Sequence, residues 1–284
     1  MYHHFGFDEK YFKDYQRGLF MTTNNKTYFS PNLLHFNPQN GIIIKSRTGL
    51  VDIWNSYMLE DADFTSHSNH DIPFCPTTAT ILPKDIIRWS EAELKYRTAI
   101  ENGESTFFYD AFVCYCVDDY RFDNCKTDKK RNIWLYPEYS LEVLKHFAGA
   151  FSPDFSTYQD FPEPIKIYNT YRMRMFGYWW GKNGIAVINN TRWGTSETYE
   201  YCYDGLPDND ILFIGTVGGS PRRLEDRQRF EEGLFELIRR CHPHTLIVYG
   251  STNYPCFDVI KEQGVRIVPY KSHTALAFEG RRSL

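Results

Sequence analysis

The stretch "DILFIGTVGG", residues 210–219, decides how the chain is read. Ile211 to Ile214 run without polar alternation and stop at once on glycine and threonine. A strand with one wet face alternates apolar and polar residues, whereas a strand covered on both faces does not. The same texture returns in "TLIVYG", residues 245–250. Between them, "DRQRFEEGLFELIRRC" puts Phe230, Leu234, Leu237 and Ile238 on one face of a helix. Strand, helix and buried strand in succession argue for parallel β/α units.

Working outward, the pattern repeats. "FYDAFVCYCVDD", "GAFSPDFS" and "IAVINNTRWG" read as strands, and "VRIVPY" as the last one. Helices are expected in "YSLEVLKHF", with Ser140 as N-cap, in "NTYRMRMFGYWWGKNG", ended by Gly184, and in "CFDVIKEQG". "ETYEYCYDGL" reads as a short helix or helical turn. The fold class is therefore α/β, with mostly parallel β/α repeats in a barrel-like or doubly wound arrangement over residues 106–284. Residues 1–105 read as an irregular N-terminal extension packed on that domain, since no Gly/Ser linker divides them and prolines are scattered through them. Within the extension, "GIIIKS" and "TATIL" look like short strands. "SEAELKYRTAIENG" looks like a helix, with Ser90 and Glu93 as its capping box and Gly103 as its stop.

Parallel β/α arrangements place function beyond the carboxyl ends of the strands. Asp118 and Asp119 follow the first strand of the domain, and Asp154 follows the second behind Pro153, which fixes the backbone. Asn189, Asn190, Arg192 and Trp193 follow the third, and Thr216, Gly218, Gly219 and Ser220 the fourth. Ser251 and Lys271 follow the last two. Polar and glycine residues at each exit would converge on one mouth.

The 284 residues carry a net charge of −4, 42% hydrophobic residues and 24% charged ones. This composition argues against disorder, and no global basic field is present to hold DNA non-specifically. The charged N-terminus has no apolar core segment, and no run approaches the roughly 20 residues of a bilayer span. Seven cysteines without paired spacing fit a reducing compartment. The expectation is a cytoplasmic protein without a membrane partner.

Several of these segments carry a resemblance. "YCVDDYRFD", "SPDFSTYQDFP", "IYNTYRMRMFGYWWGKNGIAVINNTRWG", "YCYDGLPDNDILFIGTVGG" and "LIVYG", in this order, resemble the phage and mobile-element family called domain of unknown function 4417. The resemblance covers roughly residues 107–270 and leaves the first hundred outside. The family usually reads Pro-Asn before its tryptophan segment, where this chain has Asn189-Asn190. It implies no activity. It implies a protein encoded by a phage or an integrated element, and hence the cytoplasm of an infected or element-carrying bacterium.

The carboxylates Asp118, Asp119 and Asp154 are candidates to bind a divalent metal, Mg or Mn, or to act as acid and base, against a reading as loop caps. Arg192 and Trp193 offer a guanidinium fork beside an aromatic platform, against a reading in which Arg192 pairs with a mouth aspartate. "GTVGGSPRR", with Gly218, Gly219, Ser220, Arg222 and Arg223, offers backbone N–H groups and charge to an anion, but tight βα turns need glycine anyway. Zinc ligation by "HSNHD" with Cys75, or by Cys114, Cys116 and Cys125, lacks a complete ligand set. Ser251 lacks the nucleophile-elbow spacing of a serine hydrolase. Catalytic candidates are thus Asp118, Asp119, Asp154 and Arg192. Ligand-binding candidates are Asn189, Trp193, Gly218, Gly219, Ser220, Arg222, Ser251 and Lys271.

Three function classes stay open, and whether the protein is an enzyme stays open with them. The first is a strand-end pocket that binds or processes a phosphate-bearing small molecule or single-stranded nucleic acid. The second is a non-catalytic phage effector that binds a host defence protein or sequesters a signalling nucleotide. The third is a structural or assembly protein.

Overall fold

The computed structural model describes residues 29–37, 41–46, 54–64, 70–104, 106–123, 131–217 and 223–282. Two compact units emerge, Met1–Ala62 and Asp63–Leu284. In the first, β1 (Phe29–Asn37) pairs antiparallel with β2 (Gly41–Ser46), the segment expected as a strand. A 3-10 turn lies at Ser56–Leu59.

The second unit holds a seven-stranded, wholly parallel sheet. Its strands are β3 (Ile86–Arg88), β4 (Tyr109–Cys114), β5 (Phe147–Phe151), β6 (Val187–Asn190), β7 (Ile211–Gly215), β8 (Thr245–Tyr249) and β9 (Arg266–Tyr270). Their spatial order is their sequence order. A doubly wound sheet reverses direction at a switch point. No reversal occurs here, so the sheet curls as a half-barrel. The helices are α1 (Trp89–Glu101), α2 (Pro137–Leu144), α3 (Glu163–Lys182), α4 (Leu224–Cys241), α5 (Pro255–Glu262) and α6 (His273–Arg282). Between β6 and β7 the connection is a 3-10 turn, Ser196–Glu200. Among the described residues, no helix is long and apolar enough to cross a membrane.

The absence of alternation in "ILFI" and "LIVY" has a direct cause. Phe213 and Ile247 join Phe112, Phe151 and Ile188 in one buried cluster, where Phe151 stacks on Phe213 at 3.8 Å. Leu212, Ile214, Leu246 and Val248 face the other way and pack on Leu234 and Leu237 of α4 and Phe257 of α5. Each strand is thus covered on both faces.

The sheet begins at Ile86, upstream of residue 106, the expected start of the β/α repeats, and described residues from 63 onward belong to the same compact unit. "TATIL" is not a strand: the Thr78 N–H donates to the Val187 carbonyl and its Oγ1 to the Ile185 carbonyl, which ties an irregular segment to β6. Ser90 is not the cap of α1. The helix starts at Trp89, which is buried against Tyr115 at 5.1 Å, and Arg88 is its N-cap residue. Glu93 is almost fully buried and accepts from the Tyr139 hydroxyl at 3.0 Å while pairing with Arg97. Ser140 lies inside α2, which starts a turn earlier at Pro137. Its Oγ donates to the Pro137 carbonyl and accepts from Trp180 Nε1. Burial overrides the local capping signal in both helices. The sequence pattern does not announce α6, which contains Gly280.

One buried cation fastens the helical layer to the sheet exits. Arg174 of α3 is 0% exposed and donates to the carbonyls of Asp204, Asn190 and Cys202 at 2.9, 3.0 and 2.9 Å.

Candidate functional site

Side chains alternate along a strand, so a β6 that sends Ile188 into the buried cluster carries Asn190 and Arg192 on the same side. There they meet Asp154, which leaves β5. Arg192 donates to both carboxylate oxygens of Asp154 through Nε and Nη2, and Asn190 Nδ2 adds a bond at 2.9 Å. Asp154 is 8% exposed and the Arg192 side chain 22%. Burial works against the Arg192 charge, but the attraction and hydrogen bonds of Asp154 outweigh it, and its pKa rises above the ordinary arginine value.

Asp119 joins this network from the β4 exit. Its oxygens accept from Ser156 N at 3.0 Å and Ser156 Oγ at 2.7 Å. Burial raises its carboxyl pKa, the Ser156 bonds partly offset that, and the Asp154 charge adds to it. Asp118, one residue earlier, is exposed. Asp119, Asp154 and Arg192 therefore come together, and Asp118 stands apart. Among the described residues, no group of three or more His, Cys, Asp or Glu is placed to hold a metal ion.

Beside this network a cleft of about 1000 Å³ opens at the exits of β6 to β9. Arg192, Thr216, Ser251 and Lys271 line it, together with Arg223 and Arg229 from the start of α4. Thr191 also lines it. It is 1% exposed, and its Oγ1 has no partner among the described residues. Trp193 reaches the cleft but is no free platform: a Cβ on Gly233 would come within 2.0 Å of its ring, and Phe230 lies 5.4 Å away. Asn189 is fully buried away from the cleft, with Nδ2 donating to the Cys75 carbonyl at 2.7 Å. Gly218, Gly219, Ser220 and Arg222 lie outside the described residues.

The loops after β7 and β8 are tied to each other. Thr216 Oγ1 donates to the Ser251 carbonyl at 3.0 Å, and the Gly250 N–H to the Tyr270 carbonyl at 2.8 Å. Gly250 has φ 125°, and a Cβ there would lie 2.3 Å from Thr216 Oγ1. Gly250→Ala is therefore expected to cost about 2 kcal/mol in urea unfolding. A loss below about 0.5 kcal/mol would show that the tie does not hold the loops.

Sequence reasoning did not single out Thr191, Thr216 as a loop tie, Arg229, or the α6 wall. Thr191 sits between two flagged residues, but nothing local marks its hydroxyl as unspent. Arg229 reaches the cleft only because α4 begins there.

The chain matches the family model described as "Domain of unknown function (DUF4417)" over residues 64–271. It belongs to that family. The DUF4417 match begins upstream of the sequence resemblance and takes in β3 and α1. The chain is similar to the "Gene 1 protein" of Mycobacterium phage D29, at 30% identity over 214 residues, 75% of this chain and 71% of that protein. It is equally similar to the "Gene 1 protein" of Mycobacterium phage L5, at 30% over 214 residues, 75% of this chain and 83% of that protein. No solved structure matches. This DUF4417 protein is thus phage-associated, with the Asp154–Arg192 pair and most of the cleft lining inside the family's span, and the α6 wall of the cleft beyond it.

Proposed function

We propose that the cleft binds a phosphate-bearing ligand, a nucleotide or single-stranded nucleic acid. The observation that carries this reading is Arg192. Asp154 clamps one edge of its guanidinium, while Nη1 has no partner among the described residues and the residue lines the cleft. An arginine held this way loses little side-chain entropy when it meets an oxyanion. Arg223 precedes the first residue of α4, whose unpaired N–H groups add partial positive charge. The rim cations contribute less, because Arg229 is shared with Asp226 and Lys271 with Glu279 in partly exposed pairs.

Both Asp154 oxygens are engaged by Arg192. Mg or Mn would therefore enter with the ligand's phosphates rather than on a site built by the protein. The cytoplasm of an infected bacterium is the matching compartment for such a ligand, and the six described cysteines are all free.

The test is thermal melting of the full chain with pyrophosphate, nucleoside diphosphates and short oligonucleotides. A probe at a hundred times its dissociation constant is expected to add about 2.7 kcal/mol, or roughly 5–10 °C in a chain of this size. Silence across every probe would remove the proposal in favour of a protein partner. Thr191→Val removes an unpartnered buried hydroxyl and keeps the shape. It is expected to leave the melting temperature unchanged or slightly raised. A clear drop in melting temperature would show that the hydroxyl is bonded within the fold.

A further inference from the structure

The cleft has an aromatic rim. The Arg192 side chain in its lining is mostly buried and is held from behind by Asp154. A phosphate seated on the free edge of Arg192 therefore has the ion pair behind it, and whatever it is attached to leaves toward the rim. Two large aromatic side chains stand on that rim largely exposed among the described residues: Tyr158 beyond β5, which meets Phe161 edge-on at 5.1 Å, is 57% exposed, and Phe278 on α6 is 60% exposed. Tyr254, at the start of α5, is a third, partly buried ring in the lining.

Tyr158 follows β5 and Phe278 follows β9, which are four strand spacings apart in the sheet. At about 4.8 Å per spacing these two strands lie roughly 19 Å apart along the curl. One base covers a fraction of that span, since stacked bases succeed each other at about 3.4 Å. The cleft volume of about 1000 Å³ also sits at the top of the roughly 300–1000 Å³ range of small-ligand pockets. A ligand with one phosphate at depth and several flat apolar groups along the rim fits both observations.

We propose that the ligand is the phosphorylated end of a nucleic-acid single strand, its terminal phosphate on Arg192 and its first bases against the rim rings. This rests on the phosphate-binding reading of the same cleft and narrows it. Stacking on exposed tyrosine and phenylalanine is tolerant of sequence, so the recognition is of an end and not of a base order.

The experiment measures affinity of the full chain by calorimetry for thymidine hexamers with a 5′-phosphate, a 3′-phosphate or neither, for the corresponding RNA set, for the mononucleotide and for pyrophosphate. The expected result is that one phosphorylated hexamer, DNA or RNA, binds about tenfold or more tighter than both its unphosphorylated form and the mononucleotide. Tyr158→Ser is expected to weaken that hexamer about tenfold and to leave pyrophosphate binding unchanged. Equal affinity for mononucleotide and hexamer overturns the strand, and equal affinity with and without the terminal phosphate overturns the end. In both cases the phosphate cleft stands. Failure of every probe, pyrophosphate included, overturns both proposals.

Discussion

Replacing Arg174 with alanine is expected to lower the melting temperature by roughly 10–15 °C, for a loss of about 4–5 kcal/mol. The guanidinium is fully buried in α3 and spends its donors on the carbonyls of Asp204, Asn190 and Cys202. Burial lowers its pKa, with nearby thiols and Asp204 pulling the other way. Removing it strips three buried carbonyls of their donor and opens a cavity where the alkyl stem lay. Arg174→Met separates the two effects. It refills the space but leaves the carbonyls unpaired, so about 3 kcal/mol of the loss should remain. Urea unfolding of both variants measures this. A loss under about 1 kcal/mol for Arg174→Ala would mean that the segment after β6 holds its shape without the arginine.

The second large effect is expected at Asp154. The sequence leaves a choice between a functional carboxylate and a loop cap. The ion pair with Arg192 changes the expectation. Asp154→Asn leaves a mostly buried guanidinium without its counter-charge and should cost about 3 kcal/mol. Adding Arg192→Met removes the stranded charge, and the double variant should recover most of that loss. The coupling measured by the full cycle is expected to exceed about 2 kcal/mol. Pyrophosphate binding should fall in all three variants, because either change removes or releases the clamped edge of Arg192. Near-additive losses would show that the two side chains do not depend on each other.

Much of this architecture is legible in the sequence, for a physical reason. Strands such as Ile211–Gly215 and Thr245–Tyr249 are covered on both faces, so their composition alone betrays a parallel sheet. Gly184, with φ 85°, ends α3 as expected, because a left-handed stop is a local requirement. The failures are non-local. Ser90 and Ser140 look like caps within a few residues, but Trp89 and Trp180, in contact with distant partners, decide where the helices sit. β3 spans three residues and α6 contains a glycine, so neither carries a strong periodic signal.

The site divides the same way. Strand-exit reasoning brings Asp119, Asp154 and Arg192 together because parallel strands share one carboxyl edge. It does not separate Asp118 from Asp119, since which of two adjacent carboxylates turns inward depends on Ser156, 37 residues away. It offers Trp193 as an open platform because nothing near it in sequence reveals that Gly233 makes room for its ring. Asn189 fails to reach the cleft for a simpler reason: it points to the opposite side from Asn190 and is spent on Cys75.

The most direct test of the phosphate cleft is a crystal of the full chain soaked in tungstate, a heavy tetrahedral oxyanion in place of phosphate. The anomalous difference map should show its strongest peak within hydrogen-bond distance of Arg192 Nη1, beside Thr191 and the first turn of α4. A strongest peak elsewhere on the molecule, or none at concentrations that saturate solution binding, would contradict a phosphate site at the strand exits.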